Sequence, residues 1–379
     1  MTGMVLYEHH AHMRKYPAST TKTMTGLLCV EKADLDKTVT ISKRAAAVGE
    51  ASLNLYEGQQ IKLRHLLAGV LLKSANDAST AVAEAVGGDY ASFIAMMNQR
   101  AGELGLSETH FVNPHGLHDA NHYSSAHDLA YIARAAMAQE QFRSIVGKQH
   151  LTIPWPNKPE GRQLDNLNRL LPRWSAVDGV KTGYTTPAGR CLIASATVDG
   201  WRLIAVCLKC KDSWSDCEAL LRWGFSNYQL VKVVAAGTSP WECRVRAGTA
   251  RAVSVAATDD LWLPLSRSLE LPRPFADLVP VTAPVKQGQE LGAVFVDYGG
   301  KDYRIPLVAA EAVDRCLWAT VEESREQMAV VFVLVALSFG VLVHGATAKV
   351  TRARRRRVPQ REREAHLCRA RVGEWQGGH

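Results

Sequence analysis

Three short groups of residues carry the chemistry this sequence can support: Ser19-Thr20-Thr21-Lys22, Ser74-Ala75-Asn76 and Lys181-Thr182-Gly183. Each alone reads as an ordinary helix start, helix joint or strand end. Their order and setting make them a signal. A serine hydroxyl is a weak nucleophile at neutral pH and needs an adjacent base. A lysine three residues further along a helix lies on the same face, one turn away. It can serve as that base when burial and a second positive charge disfavour its ammonium form, and Lys181 would bring the charge from across a cleft. Ser74 fits between the two as a proton relay. The Asn76 amide can bond a substrate carbonyl and orient Lys22. Backbone N–H groups of Ser19 and Tyr184 make an oxyanion hole. Lys181 and the Thr182 hydroxyl can grip a terminal carboxylate, and the strand that ends in Gly183 can take an extended peptide along its edge. Together these groups suit acyl transfer from a peptide ending in a carboxylate.

The elements that must position them are legible around them. Tyr16-Pro17-Ala18-Ser19 enters a helix over residues 20–31, where Pro17 and the small residues suit a helix start. Residues 63–73 and 77–86 read as helices flanking the polar joint Ser74-Ala75-Asn76, and 91–104 and 126–137 as further amphipathic helices. Residues 177–180, 191–198 and 202–209 read as successive strands, followed by a helix over 215–228. Near the start, Thr2-Gly3 reads as a turn leading to a short strand at 5–7. The mixed α/β pattern ends near Tyr228, beyond which Val-rich runs broken by Gly and Pro predict a small β-sandwich or barrel.

At 379 residues the chain has room for two domains. Its formal charge of +8 is concentrated at the end: residues 349–379 hold ten Lys/Arg against three Glu, a local +7. No basic stripe runs over the remainder, so no nucleic-acid partner is expected. Residues 328–346 contain no acidic residue, Lys or Arg, and 19 residues just reach across a bilayer core. Arg352 and Arg354 to Arg357 follow at once, as in a cytoplasmic topology anchor. The eight cysteines include one CxxC, Cys207 and Cys210. It stands in a strand-like apolar run with no second CxxC, so buried reduced thiols are expected.

Histidines gather at His9, His10 and His12 and again at His115, His118, His122 and His127. There is no HExxH and no carboxylate at a ligand spacing, so no metal is expected. His115 reads as a structural loop residue near the cleft. The tryptophans fall within strand and helix patterns and read as core rather than as sugar platforms.

Longer stretches around the motifs point to a family. They are Tyr16-Pro17-Ala18-Ser19-Thr20-Thr21-Lys22, Leu72-Lys73-Ser74-Ala75-Asn76-Asp77-Ala78, Asn113-Pro114-His115-Gly116-Leu117, Asp178-Gly179-Val180-Lys181-Thr182-Gly183-Tyr184-Thr185 and Thr282-Ala283-Pro284-Val285-Lys286-Gln287-Gly288-Gln289. Over about residues 1–318 the chain resembles the low-molecular-weight penicillin-binding proteins, specifically the D-alanyl-D-alanine carboxypeptidases of the SxxK serine peptidase type. The resemblance implies an α/β (α+β) β-lactamase/transpeptidase-like catalytic domain over 1–228 and a small all-β domain over 229–320. A C-terminal transmembrane helix at 328–346 and a basic cytoplasmic tail at 347–379 complete it. Ser19 is then the acyl-ester nucleophile, Lys22 the proton acceptor and Ser74 with Asn76 the second motif. Lys181, with Thr182, Gly183 and Tyr184, meets the substrate. The implied reaction removes the terminal D-Ala of peptidoglycan pentapeptide stems outside the bacterial membrane, with no metal or other cofactor, and β-lactams acylate Ser19. Family members begin with a signal peptide and a strand that precedes the turn matching Thr2-Gly3; neither is legible. The expectation is therefore a start upstream, and a sheet edge left unpaired beside residues 5–7. Two other readings stand beside this one. A β-lactamase of the same fold would need an activating glutamate, for which Glu160 is the candidate. A non-catalytic peptidoglycan-binding scaffold would need no chemistry at all.

Overall fold

The computed structural model describes residues 2–344 other than 239, 269, 319, 320, 322 and 323. The last two residues of the expected span and the basic tail, 347–379, lie outside the described residues. The chain divides into two units, Met1–Lys232 with Trp262–Leu271, and Val233–Leu261 with Pro272–His379.

In the first unit a turn of 3-10 helix, Ala18–Thr21, runs straight into α1 (Lys22–Lys32). β1 (Thr38–Thr40), α2 (Lys43–Ala46) and β2 (Gln60–Lys62) precede a helical group of α3 (Leu63–Leu72), α4 (Asn76–Gly87), α5 (Tyr90–Glu103), α6 (Ala126–Ala138) and α7 (Glu140–Val146). A hairpin of β3 (His150–Trp155) and β4 (Lys158–Asp165) follows. Then comes an antiparallel sheet of β5 (Val177–Thr185), β6 (Gly189–Val198) and β7 (Trp201–Cys210), and after it α8 (Ser213–Asn227).

Some of the helices start where a side chain can accept from an otherwise orphaned N–H. Asp89, Ser125 and Asp212 cap α5, α6 and α8 in this way. Helix α1 is buried from Lys22 through Cys29 and forms the axis of the core. The leucine-rich α3 packs on α4, where Ala78, Ala81 and Ala83 are small enough to let the two helices approach. Phe142 of α7 lies fully buried against Gly26 of α1 and Leu71 of α3.

Beyond α8 come β8 (Tyr228–Val234), β9 (Trp241–Arg246), β10 (Ala252–Ala257), β11 (Leu261–Ser266), β12 (Phe275–Leu278), β13 (Val281–Thr282), β14 (Glu290–Tyr298) and β15 (Lys301–Ala309). β8 and β11 pair with each other, and the rest form a six-stranded sheet in the order β12-β14-β15-β10-β9-β13. Buried Cys243, Val245, Val253 and Val255 alternate with more exposed neighbours along β9 and β10, the period of two that sends successive side chains to opposite faces. Ser324–His344 is a 21-residue helix of mean hydropathy 2.2 with none of its apolar window buried, long and apolar enough to cross a membrane.

The expected helices and strands recur within a few residues of their predicted ends, with exceptions. Residues 5–7 are irregular, not a strand. Val5 and Tyr7 are 49% and 57% exposed, and an extended segment becomes a strand only when its backbone groups find a ladder partner. The β3–β4 hairpin and α7 had no sequence-level signal strong enough to place them. Cys207 and Cys210 are free thiols, the first buried and the second half-buried.

Because Phe142 sits beneath the axis helix, Phe142→Ala leaves a cavity under α1. Denaturant unfolding followed by tryptophan fluorescence is expected to show a loss of about 3–5 kcal/mol.

Candidate active site

The helical start that carries Ser19 is strained in a useful way. Ala18, just ahead of it, has φ +48°, a conformation that costs a non-glycine residue and persists only where the surroundings enforce it. The enforcement is visible. Gly116, at φ +84°, lies so close that a Cβ there would fall on the Ala18 carbonyl oxygen. On the other side the β5 backbone reaches Ser19. A Cβ on Gly183 would lie 3.0 Å from both Ser19 N and Thr20 N, so only glycine lets the strand come this close. Ser19 itself is half-buried and therefore reachable.

Lys22 is fully buried beneath it. Its Nζ donates to Ser19 Oγ at 2.9 Å, to Asn76 Oδ1 at 2.7 Å and to the His115 carbonyl at 2.6 Å. These three acceptors match the three protons of an ammonium group. Burial, and then the charge of Lys181, hold the Lys22 pKa well below its ordinary 10.5. When the group gives up a proton, Asn76 Oδ1 and the His115 carbonyl retain the other two, because neither oxygen has a proton to offer. The lone pair then faces Ser19 Oγ, and the serine O–H can donate to it. The fixed acceptors thus decide which way the base points.

Asn76 opens α4 and is itself held twice, by its N–H to the Ala51 carbonyl at 2.7 Å and its amide to the Gly49 carbonyl at 3.0 Å. Next to it Asp77 gathers the same loop, accepting from Ser52 Oγ and from the N–H groups of Leu53 and Leu55. Ser74, at the joint between α3 and α4, is buried in the left-handed region at φ +60°. Among the described residues its hydroxyl has no hydrogen-bond partner, so it does not touch Ser19 or Lys22 in this arrangement. Lys181 is buried on β5, and desolvation lowers its pKa to about 7. Among the described residues its Nζ bonds only the Thr182 carbonyl, at 3.0 Å. Thr182 and Gly183 are half-buried, and Tyr184 is 65% exposed. β5 pairs with β6 on one side alone, which leaves its other edge toward Ser19.

Ser19, Lys22, Asn76 and Gly183 therefore converge, and the charge of Lys181 bears on Lys22, while the Ser74 hydroxyl stays unengaged. Three contributors had no assigned role in the sequence. The His115 carbonyl holds Lys22, and its loop is fastened to α1 through Thr25 Oγ1, which donates to the Pro114 carbonyl at 2.6 Å. Asp77 anchors the loop that anchors Asn76. His122 braces Thr21 at 2.8 Å. The Val112 N–H donates to His122 Nδ1, so the ring proton sits on Nε2 and points at the Thr21 hydroxyl. Glu160 lies exposed on β4, with no burial to make it a base.

Comparison with known proteins shows what the chain is similar to. Residues 1–212 match the model of the D-alanyl-D-alanine carboxypeptidase family, and residues 228–315 that of the penicillin-binding protein 5 C-terminal domain. The chain is 32% identical over 321 residues to D-alanyl-D-alanine carboxypeptidase DacF of Bacillus subtilis, covering 82% of each. It is 34% identical over 336 residues to DacC of Escherichia coli, covering 83% of this chain and 82% of the relative. Among solved structures, penicillin-binding protein 5 of Haemophilus influenzae superposes with a TM-score of 0.69 at 31% identity, over 82% of this chain and 94% of that one. The Streptomyces K15 DD-transpeptidase superposes with a TM-score of 0.56 at 33% identity, over 59% and 93%.

The braced histidines make the site acid-sensitive. Burial lowers His122 from its ordinary 6.5 to about 4, and lowers His115 to about 3. A depressed folded pKa gives stability that is complete above 6.5 and lost as the pH falls toward the folded value. The thermal midpoint is expected to drop between pH 6.5 and 4. The His122 share is on the order of 3 kcal/mol, and His122→Phe should flatten that part of the slope.

Proposed function

The chain belongs to the D-alanyl-D-alanine carboxypeptidase family, and from that membership we propose which of its residues carry the reaction and where it takes place. It is a serine-type D-Ala-D-Ala carboxypeptidase, a penicillin-binding protein and a bacterial cell-wall enzyme. Peptidoglycan substrates and β-lactam binding are typical of such proteins.

Ser19 is the nucleophile in this reading and neutral Lys22 the base. A stem peptide ending in D-Ala-D-Ala lies along the free edge of β5 and extends the sheet. Lys181 and Thr182 meet its terminal carboxylate. An anion beside Lys181 raises that lysine's pKa again, so its positive charge is strengthened by the ligand it must hold. Lys22 takes the Ser19 proton as Oγ attacks the carbonyl of the penultimate D-Ala. The developing oxyanion is received by the N–H groups of Ser19 and Tyr184. Asn76 orients both Lys22 and the substrate. The proton on Lys22 passes to the leaving amine nitrogen, with Ser74, whose hydroxyl is otherwise unengaged, as the relay. Free D-Ala departs and an ester on Ser19 remains. Water then attacks that ester, Lys22 taking its proton and returning it to Ser19 Oγ as the ester bond breaks, and the shortened peptide is released. No step calls for a metal or other cofactor.

The observation that carries this reading is the 2.9 Å contact from Lys22 Nζ to Ser19 Oγ, with the two other Lys22 acceptors fixed. We place the catalytic unit on the outer face of the membrane, tethered by Ser324–His344, with the Arg-rich tail inside. Peptidoglycan lies outside, and the arginines favour the cytoplasmic side.

A fluorescent penicillin is expected to label the full chain and to lose that label in Ser19→Ala. The wild-type protein is expected to release D-alanine from a peptide ending in D-Ala-D-Ala. Labelling that persists in Ser19→Ala would remove the serine from its role. For the base, the limiting acylation rate at saturating β-lactam should rise with pH and level off well below 10.5, since deprotonated Lys22 is the active form. A rate still climbing near pH 10 would exclude Lys22 as that base.

A further inference from the structure

Away from the cleft, the fold brings together three residues that the sequence keeps far apart. His12, Glu108 and His127 place one ligand atom each within 4.8 Å of one another. His12 Nδ1 stands 3.5 Å from Glu108 Oε2. The His12 and His127 rings stack with centroids 4.3 Å apart and planes 32° from parallel. We propose that these three side chains form a binding site for a divalent transition cation of the zinc type, which clasps the segment leading into Ser19 to the body of the unit.

Four features support a ligand set over a chance meeting. For metal–ligand bonds of about 2.0–2.1 Å, neighbouring ligands of a tetrahedral ion stand about 3.3–3.4 Å apart, close to the His12–Glu108 separation. His127 is oriented as a ligand should be. Its Nδ1 is 3.1 Å from Asp128 Oδ1, and a carboxylate on one ring nitrogen sets the tautomer that frees Nε2 for a metal. Asp128 is itself rigid, with its side chain 1% exposed, and its Oδ2 accepts from Glu108 N at 3.0 Å and Thr109 Oγ1 at 2.8 Å. Lastly, Ser107 Oγ donates to Glu108 Oε1 at 2.6 Å, leaving Oε2 as the oxygen toward His12. The set is two imidazoles and one carboxylate, open to solvent on the His12 side. A water completes four-coordination there. Nitrogen ligands in this number suit zinc, nickel or copper over magnesium or calcium.

The position gives the cation a structural consequence. His127 N donates to the Ala11 carbonyl at 3.0 Å, and Lys15 pairs with Ser124, so residues 11–15 already lie against the start of α6. Arg14 reaches the Ser107 carbonyl at 3.3 Å. A metal would add a fourth tie at His12, just before the strained turn at Ala18. The sequence held no sign of this set, because its carboxylate is separated from both histidines along the chain. The clasp does not rest on the acyl-transfer reading.

Calorimetric titration of the full chain with zinc chloride at pH 7.5 is expected to show one tight equivalent, absent with magnesium or calcium. The thermal midpoint should rise with zinc. His12→Ala removes an exposed ligand, so its fold and its penicillin labelling stay intact while the tight equivalent is lost. Asp128→Asn should weaken zinc by about 10- to 100-fold. His9→Asn with His10→Asn should leave the equivalent unchanged, as should changes at His366, Cys368 and His379. A tight equivalent that survives His12→Ala, or anomalous zinc density centred elsewhere, overturns the proposal. So does the absence of any tight equivalent.

Discussion

The first unit is organised around a buried lysine. An ammonium group placed wholly out of water is costly unless every proton finds an acceptor. Lys22 meets that demand with three oxygens drawn from three separate parts of the chain: Ser19, Asn76 and the His115 carbonyl. Each acceptor then needs its own support. Asn76 is held by the loop that Asp77 gathers, and the His115 loop is held to α1 by Thr25. Helix α1 must be buried all round because it carries the lysine inward. The same burial that makes a charged Lys22 expensive holds its pKa well below the ordinary 10.5.

A second constraint is backbone proximity. The β5 backbone comes within van der Waals distance of the Ser19 N–H, and Gly183 is the residue that permits this. Gly116 plays the matching part on the opposite side, packed on the Ala18 carbonyl. The turn carrying the nucleophile is thus held between two glycines from distant elements. Its left-handed Ala18 is a strain that those neighbours impose.

Much of this was legible in the sequence. The three motifs named the residues that meet, and the helical and strand periods around them placed α1, α3, α4 and β5 to β7 close to their observed limits. Local signals were enough there because each motif sits at an element boundary, where composition changes sharply. Residues 5–7 show the opposite case. Their short apolar run after the Thr2-Gly3 turn reads as a strand, but without a ladder partner the backbone has nothing to pair with. The β3–β4 hairpin has mixed, mostly exposed positions, so no clean alternation announces it. Asp77 was quoted within a motif without a role, since its work is done on residues 52–55.

What the sequence determined by itself was therefore the chemistry: a serine with a lysine one helical turn away, a second lysine on a late strand, and a chain of the penicillin-binding type. Those facts depend on residue type and short spacing, which survive without coordinates. Only the tertiary structure decided how Lys22 is aimed, because two of its three acceptors come from elsewhere in the chain and one is a backbone carbonyl, which no residue type encodes. It likewise decided that Gly183 and Gly116 are steric requirements, and that Glu108 meets two histidines. Contacts of this kind depend on which distant segments fold against each other, and hydrogen bonds and close approaches are specified only once those segments have met.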